Sequence, residues 1–231
     1  MSATTEDWSD FALLSDLAKR WLVHARDVFA CSAHHRACDA PSVPNIDPSL
    51  RWPGFVGPVY EKVNTPKKKL LLVGRIHNPS GWSARTGLGD LEVLIRDWLT
   101  GNCTDEEFYR DYNREYARRL ATWGPWTKVY RTLANAAGVD ETGIAYANVA
   151  KCWQYPGKES KLQRACSATF PLEELVDIVK PQGVFLLATD AWVSRISGAQ
   201  VRSVPFMNDS APHFQLPPDR IAAAVKWVGA L

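Results

Sequence analysis

The sequence has no apolar run of the roughly 18 to 20 residues that a membrane-spanning helix requires, so a membrane protein is not expected. Its charge is nearly balanced, with 27 Lys and Arg against 25 Asp and Glu, and bulk electrostatics therefore does not indicate a polyanion-binding protein. Residues 1–10 carry neither the basic nor the apolar segment of a secretory signal, which favours a cytoplasmic location. What the sequence does have is 46% hydrophobic residues over 231 positions, which predicts one domain spanning residues 1–231.

Apolar patterns of strand and helix period alternate from residue 70 onward. The strand patterns cover residues 70–74, 144–149, 184–188 and 201–206. Helical patterns cover residues 8–29, 88–99, 105–123, 126–137, 162–179 and 217–229. The alternation predicts an α/β fold, a three-layer α/β/α domain with a central four-stranded parallel sheet. Between the first helix and the first strand, prolines interrupt residues 31–66 and predict a long irregular loop, so residues 1–66 form an N-terminal helix followed by a Cys/Pro-rich loop.

Ligands of such sheets bind outside the carboxyl ends of the strands, so the loops after the predicted strands hold the candidate site. These loops contain amide, imidazole, hydroxyl and indole side chains, at His77, Asn78, Trp82, Asn148, Asn208, Ser210 and His213. Three of them have an ordinary alternative: Asn148 as a turn residue, His77 as a plain loop histidine and Trp82 as a core side chain.

Four of the five cysteines form two pairs, Cys31 with Cys38 and Cys152 with Cys166. Disulfides are rare in the cytosol, so the spacing leaves two interpretations open: a four-thiolate metal site or scattered buried thiols. The fifth, Cys103, lies in a predicted helical region and would be the spare of a four-thiolate site.

Several segments together resemble the uracil-DNA glycosylase superfamily, above all its iron–sulfur-containing branch. The stretch from Tyr146 to Cys152 (Tyr-Ala-Asn-Val-Ala-Lys-Cys) is similar to that branch's Asn-Val-Val-Lys-Cys motif, and Cys166 follows at the matching distance. Asn-Pro-Ser-Gly at 78–81, after the strand ending in Gly74, resembles the first catalytic loop of some members. The resemblance covers residues 31–229 with a helical insertion at 90–125.

The resemblance implies a role for each candidate. Asn148 would hydrogen-bond the Watson–Crick edge of a flipped base, Asn78 and His77 would activate water against C1′, and Trp82 would stack on the base. Asn208 with Ser210, or alternatively His213, would replace the family histidine that bonds the base oxygen. Phosphate contacts would come from Arg110, Arg114 and Lys151. The alternative for the two arginines, which share one face of the predicted helix, is that they are solvent-exposed and form ion pairs with neighbouring acidic residues. The metal ligands would be Cys31, Cys38, Cys152 and Cys166, holding a [4Fe–4S] cluster, with zinc or no metal as the alternatives.

The function implied by the resemblance is that of a DNA glycosylase acting in base excision and DNA repair as a monomer. Ser80 and Gly81 stand where the strictest uracil glycosylases place a bulky tyrosine, so the substrate is either uracil or a 5-modified pyrimidine. A hypermodified phage cytosine would make the enzyme an antiviral defence. Two other interpretations stay open: a catalytically silent member that binds nucleic acid or a nucleotide, and a four-cysteine zinc or redox protein unrelated to DNA.

Overall fold

A five-stranded sheet forms the centre of the computed structural model of the chain. The structure describes residues 14–31, 51–76, 89–122, 124–150, 166, 168–187, 200–204 and 218–231. In chain order the strands are β1 (Phe55–Val56), β2 (Leu70–Ile76), β3 (Ala145–Ala150), β4 (Gly183–Leu187) and β5 (Gln200–Val204). Across the sheet they lie in the order β1-β3-β2-β4-β5, so β2 is central.

The α/β class is confirmed, and the four predicted strands are parallel to one another. β2 pairs with β3 on one side and with β4 on the other, and β5 extends the sheet beyond β4. The expectation of a purely parallel sheet is wrong, because β1 pairs antiparallel with β3 and places Phe55 opposite Tyr146. Gly54 allows this approach: its φ is +96°, and a Cβ there would lie 2.5 Å from the carbonyl oxygen of Tyr146. The sheet is therefore mixed.

Six α-helices belong to the described part of the chain, and each corresponds to a predicted helical pattern. They are α1 (Asp16–Phe29), α2 (Gly89–Thr100), α3 (Asp105–Thr122), α4 (Gly124–Ala136), α5 (Leu172–Val179) and α6 (Pro218–Gly229). The start of α3 is capped on both sides, since the Glu107 amide donates to Thr104 Oγ1 at 3.2 Å and the Thr104 amide donates to Glu107 Oε2 at 2.9 Å. The backbone hydrogen bond from Thr104 lowers the pKa of Glu107. No helix in these ranges is long and apolar enough to cross a membrane.

Two predicted segments need correction. The helix predicted over 162–179 is broken at Phe170, and α5 starts afresh with Pro171 as its N-cap, because proline has no N–H to continue the earlier turn. Its end is as predicted, with Lys180 in the left-handed conformation at φ 47° immediately before a proline. The predicted loop over 31–66 is not irregular throughout, since residues 51–66 contain β1 and the 3₁₀ turn Tyr60–Lys62.

Helices cover both faces of the central strands. Successive residues of a strand point to opposite faces, and the residues from Leu70 to Val73 are all at most 1% exposed. On β4 a Cβ added at Gly183 would lie 2.9 Å from the ring of Trp227 in α6, so this helix packs closely on one face. The consecutive apolar residues of these strands are explained by this double coverage.

The predicted helical insertion is part of the core. The buried side of α3 carries Phe108, Tyr109, Tyr112 and Tyr116, all at most 4% exposed. The ring of Phe108 stacks on Trp98 of α2 with centroids 3.9 Å apart and an interplanar angle of 3°. Residues 90–125 thus supply much of the aromatic packing of this domain.

Candidate functional site

Asn148 lies near the carboxyl end of β3, directly beside Gly74 of the central strand β2. This is the edge at which parallel sheets bind their ligands. From β2 the chain adds β3 on one side of the sheet and then β4 on the other, so the direction in which strands are added reverses at β2. Such a reversal opens a crevice at the carboxyl ends of the strands. The structure therefore places the one described base-binding candidate where a ligand is expected.

The Asn148 side chain is 1% exposed, and only one of its two polar atoms is satisfied. Its Oδ1 accepts a hydrogen bond from the Tyr146 hydroxyl at 3.1 Å, whereas its Nδ2 has no partner among the described residues. A buried donor left unpaired costs about 1–3 kcal/mol. An amide held in this way is suited to donate to an acceptor on a bound ligand.

A second buried asparagine shows the contrast. Asn113 of α3 is also 1% exposed, but its Oδ1 accepts from the Val56 amide at 2.8 Å and its Nδ2 donates to the Tyr109 carbonyl at 2.7 Å. Asn113 thus ties β1 to α3 with both polar atoms engaged. The open donor of Asn148 is therefore not a general property of buried asparagines in this fold.

Gly74 provides the space that Asn148 and Tyr146 occupy. In the β2–β3 register Gly74 pairs with Asn148, so the two point to the same face of the sheet. A Cβ at Gly74 would overlap Asn148 Oδ1 and would lie 2.5 Å from the Tyr146 hydroxyl oxygen. In the sequence Gly74 and Tyr146 stand out only as parts of motifs. Their contribution to the site depends on the register of β2 against β3, which a local sequence pattern does not encode.

The Tyr146 ring is held by the aromatic side chains of the chain segment around β1. Its centroid lies 4.9 Å from that of Trp52 and 6.3 Å from that of Phe55, and all three residues are at most 4% exposed. Tyr116 of α3 packs on Trp52 at 5.3 Å and stacks on Phe55 at 6.2 Å. These contacts immobilise the hydroxyl that holds the Asn148 amide.

Replacement of Gly74 by alanine is expected to destabilise the fold by about 1–3 kcal/mol, because the added methyl group would push on Asn148 and Tyr146. Urea unfolding measures the effect. In a double-mutant cycle the cost should fall when Asn148 is also alanine, since the displaced amide is then gone. Gly229→Ala is the matched control and should be nearly neutral, because a Cβ there meets nothing within 4 Å. Equal costs in the two backgrounds would contradict the packing described for Gly74.

Most of the other sequence-predicted site residues lie outside the described residues. These are His77, Asn78, Trp82, Lys151, Asn208, Ser210 and His213, together with the cysteines Cys38 and Cys152. Their assignments stay predictions. Of the predicted metal ligands the structure describes Cys31, which is partly buried, and Cys166, which is 6% exposed, and neither is in a disulfide.

α1 and the segment that leads into α5 run antiparallel. Arg20 Nη1 donates to the Asp177 carbonyl at 2.9 Å, and one turn further along α1 the His24 Nδ1 lies 3.6 Å from Glu174 Oε1. The His24 ring also contacts Phe170 at 6.1 Å between centroids. Residues later in α1 thus contact residues earlier in α5 and in the segment before it.

This antiparallel arrangement brings the two described cysteines to the same end of the helix pair. Cys31 follows the last residues of α1, and Cys166 stands one turn before Phe170, with its carbonyl accepting from the Phe170 amide at 2.7 Å. Within the described ranges no group of three or more metal-ligating side chains is assembled. Two of the four predicted ligands, Cys31 and Cys166, thus lie toward the same end of the helix pair, and the other two lie outside the described residues.

A buried arginine lies at the same end of α1. Arg51 is 8% exposed, and its guanidinium donates to the carbonyl of Phe29, two residues before Cys31. Among the described residues its Nε has no hydrogen-bond partner, and no carboxylate of that part of the chain pairs with it. A buried cation is costly unless negative charge is near, and thiolates that bind a metal supply such charge. The donor set and this cation both fit an anionic metal–thiolate centre.

The arginine face of α3 is exposed, and its charges are partly paired. Arg110 binds Asp111 through two hydrogen bonds of 2.7 and 2.9 Å, which raise the pKa of Arg110, and Arg118 binds Glu115 in the same two-bond manner. Arg114 is exposed and forms no ion pair with the described residues. The tyrosines that alternate with these arginines in the sequence are core residues and take no part in this face. Exposed ion pairs contribute little stability, so these arginines can exchange partners at low cost.

No protein-family model matches this chain, and no curated protein matches it either.

Proposed function

We propose that the protein is a DNA N-glycosylase of the uracil-DNA glycosylase kind, which hydrolyses the glycosidic bond of a pyrimidine flipped out of DNA. The observation that carries the proposal is the buried Asn148 amide with an open donor at the carboxyl edge of the parallel strands. An amide offers donors and an acceptor side by side, as recognition of a Watson–Crick edge requires. The motif resemblance around Asn148 adds support.

The proposed chemistry assigns a task to each candidate residue. Hydrolysis passes through an oxocarbenium-like state, with positive charge growing on the sugar and negative charge on the departing base. Nδ2 of Asn148 donates a hydrogen bond to the base and stabilises its growing negative charge. His77 and Asn78 orient the attacking water, and Trp82 stacks on the base.

The remaining assignments concern the base oxygen and the DNA backbone. Either Asn208 with Ser210 or His213 bonds the base oxygen. Arg110, Arg114 and Lys151 contact phosphates, and the exposure of Arg114 and the partial exposure of Arg110 permit that role.

The proposed substrate is a pyrimidine enlarged at carbon 5, and ordinary uracil is the competing choice. Ser80 and Gly81 replace a bulky side chain that would exclude such groups in strict uracil glycosylases. A pocket enlarged there loses contacts to plain uracil but admits a 5-modified cytosine. In a cell such an enzyme would act on modified foreign DNA, as an antiviral defence.

The proposal is tested by incubating the purified protein with oligonucleotides that each carry one modified pyrimidine, and by identifying released bases by mass spectrometry. Release of a free base supports it, and a preference for 5-modified bases over uracil supports the substrate choice. Binding of these oligonucleotides without release of any base would instead indicate the catalytically silent member. That alternative is motivated by the absence of a carboxylate between Gly74 and Trp82 in the sequence.

We also propose that Cys31, Cys38, Cys152 and Cys166 hold a [4Fe–4S] cluster, with zinc as the competing metal. Support comes from the placement of Cys31 and Cys166 toward the same end of the helix pair and from the buried Arg51, which binds the backbone two residues before Cys31. When bound, the cluster would supply a structural cross-link between the N-terminal segment and the sheet. It takes no part in the hydrolysis.

Anaerobically purified protein is expected to be brown and to contain about four iron and four sulfide per chain. Cys166→Ser should lose the colour, the iron and much of the stability, because a buried ligand is removed. Cys103→Ser is the matched control and should keep all three, since the Cys103 thiol donates only a weak hydrogen bond to the Thr104 carbonyl at 3.4 Å. Colourless, iron-free protein that is folded and active would refute the cluster. Zinc in its place would favour the competing metal.

A further inference from the structure

We propose that Tyr146 is a positioning residue that fixes the orientation of the Asn148 amide and thereby selects which pyrimidine edge the site accepts. This inference rests on the proposed function. Its physical basis is the hydrogen bond from the Tyr146 hydroxyl to Asn148 Oδ1 at 3.1 Å, next to an Nδ2 that has no partner among the described residues.

The hydrogen bond distinguishes the two ways in which the amide can be turned. With the hydroxyl proton directed at Asn148, one lone pair of the amide oxygen binds Tyr146, and its second lone pair and the amide N–H groups remain for the ligand. Turning the amide by half a rotation would bring Nδ2 against the hydroxyl, which would then have to accept the hydrogen bond and direct its own proton elsewhere. Only the observed orientation lets the hydroxyl donate to the amide.

Tyr146 itself has little freedom to follow a rotating amide. Its ring is 4% exposed and packs against Trp52 and Phe55. Below the pair, Gly74 leaves room for the amide and the hydroxyl and for little else. The hydroxyl is thus presented from a rigid position, and such preorganised contacts are the ones that discriminate between ligands.

A fixed amide can match only one of two otherwise similar bases. At positions 3 and 4 the cytosine ring offers an acceptor nitrogen and a donor amino group, whereas the uracil ring offers a donor N–H and an acceptor oxygen. A two-bond pairing with an amide therefore requires opposite amide orientations for the two bases. With the orientation held by Tyr146, the site accepts one class of edge and rejects the other.

The experiment compares oligonucleotides carrying 5-hydroxymethylcytosine with others carrying 5-hydroxymethyluracil, which share the substituent at carbon 5 and differ at the edge to be read. Affinity and single-turnover release of the base are measured for the wild-type protein, Tyr146→Phe and Tyr60→Phe. The wild-type protein is expected to prefer one base by about tenfold or more. Tyr146→Phe should bring this preference close to unity, because the amide is then free to turn.

Tyr60→Phe is the matched control. It also removes a fully buried hydroxyl, but that hydroxyl has no hydrogen-bond partner among the described residues and lies outside the proposed site. It should leave the preference unchanged. A merely structural role of Tyr146 would lower activity on both bases by the same factor and leave their ratio as it was.

A second measurement does not depend on turnover. The side-chain amide signals of Asn148 in a ¹⁵N-edited NMR spectrum, identified by their loss in Asn148→Ala, should move in Tyr146→Phe and stay in place in Tyr60→Phe. Unmoved signals, or a preference that Tyr146→Phe leaves unaltered, would overturn the role of Tyr146 alone. Protein that neither binds nor processes either base would overturn the proposed function, and this inference with it.

Discussion

Asn148→Ala is expected to lower base release by about 100-fold or more while changing the free energy of unfolding by less than about 1 kcal/mol. The large loss arises because a substrate acceptor that should receive a hydrogen bond from Nδ2 would be buried without one. The change in stability is small because two effects oppose each other. The truncation removes Nδ2, a donor without a partner among the described residues, and it also removes the oxygen that accepts from the Tyr146 hydroxyl. Single-turnover base release and urea unfolding measure the two quantities.

Asn113→Ala is the control for this prediction and should behave in the opposite way. Both polar atoms of Asn113 bind the backbone of neighbouring elements, so its loss should cost about 1–3 kcal/mol. The folded fraction of that variant should release base at the wild-type rate. Asn148→Ala with wild-type turnover would show that Asn148 is only a packed strand residue.

Phe108→Ala is expected to destabilise the protein by about 3–5 kcal/mol, the usual cost of truncating a buried aromatic side chain. Phe108 is fully buried and stacks on Trp98, and its ring also contacts Phe29 of α1 and Tyr112 of its own helix. The truncation would open a cavity at the junction of three helices. A domain of this size has about 5–15 kcal/mol of stability in total, so a large share would be lost.

Urea unfolding followed by tryptophan fluorescence measures this effect. Val93→Ala on α2 is the control, because Val93 is 50% exposed and its truncation should change stability by no more than about 0.5 kcal/mol. A cost below about 1 kcal/mol for Phe108→Ala would contradict the placement of α3 in the core.

The parts of the fold that local patterns encode were predictable. The apolar run at 70–74 predicts the central strand because a strand covered on both faces has no polar positions, and the Thr104–Glu107 pair predicts the start of α3. β1 was not predictable in the same way, since two residues are too few to show a period and its partner is far away in the chain. The break at Pro171 has a cause that is present in the sequence, since proline lacks the N–H that a continuing helix needs. The apolar pattern on both sides of Pro171 nevertheless has helical period and predicts one continuous helix.

The candidate site was predictable in position and not in detail. Asn148 could be placed at a strand end, and hence at the ligand edge of a parallel sheet, from the sequence. That Gly74 makes room for it and that Tyr146 holds its amide depends on the register of β2 against β3, which arises from packing of the whole sheet. Tyrosines stand close to the arginines of α3 in the sequence, yet helical periodicity turns those tyrosines to the opposite, buried side.

The antiparallel pairing of β1 with β3 has a consequence for the newborn chain. Trp52 and Phe55 leave the ribosome long before Tyr146, because α2, α3 and α4 separate β1 from its partner. Until β3 arrives these aromatic side chains lack the neighbour that covers them, and the unpaired edge of β1 is open to association with other chains. Since the same rings hold Tyr146, the Asn148 amide comes into its described position only when this pairing closes. A chain interrupted before β3 would therefore be a target for chaperones and proteases.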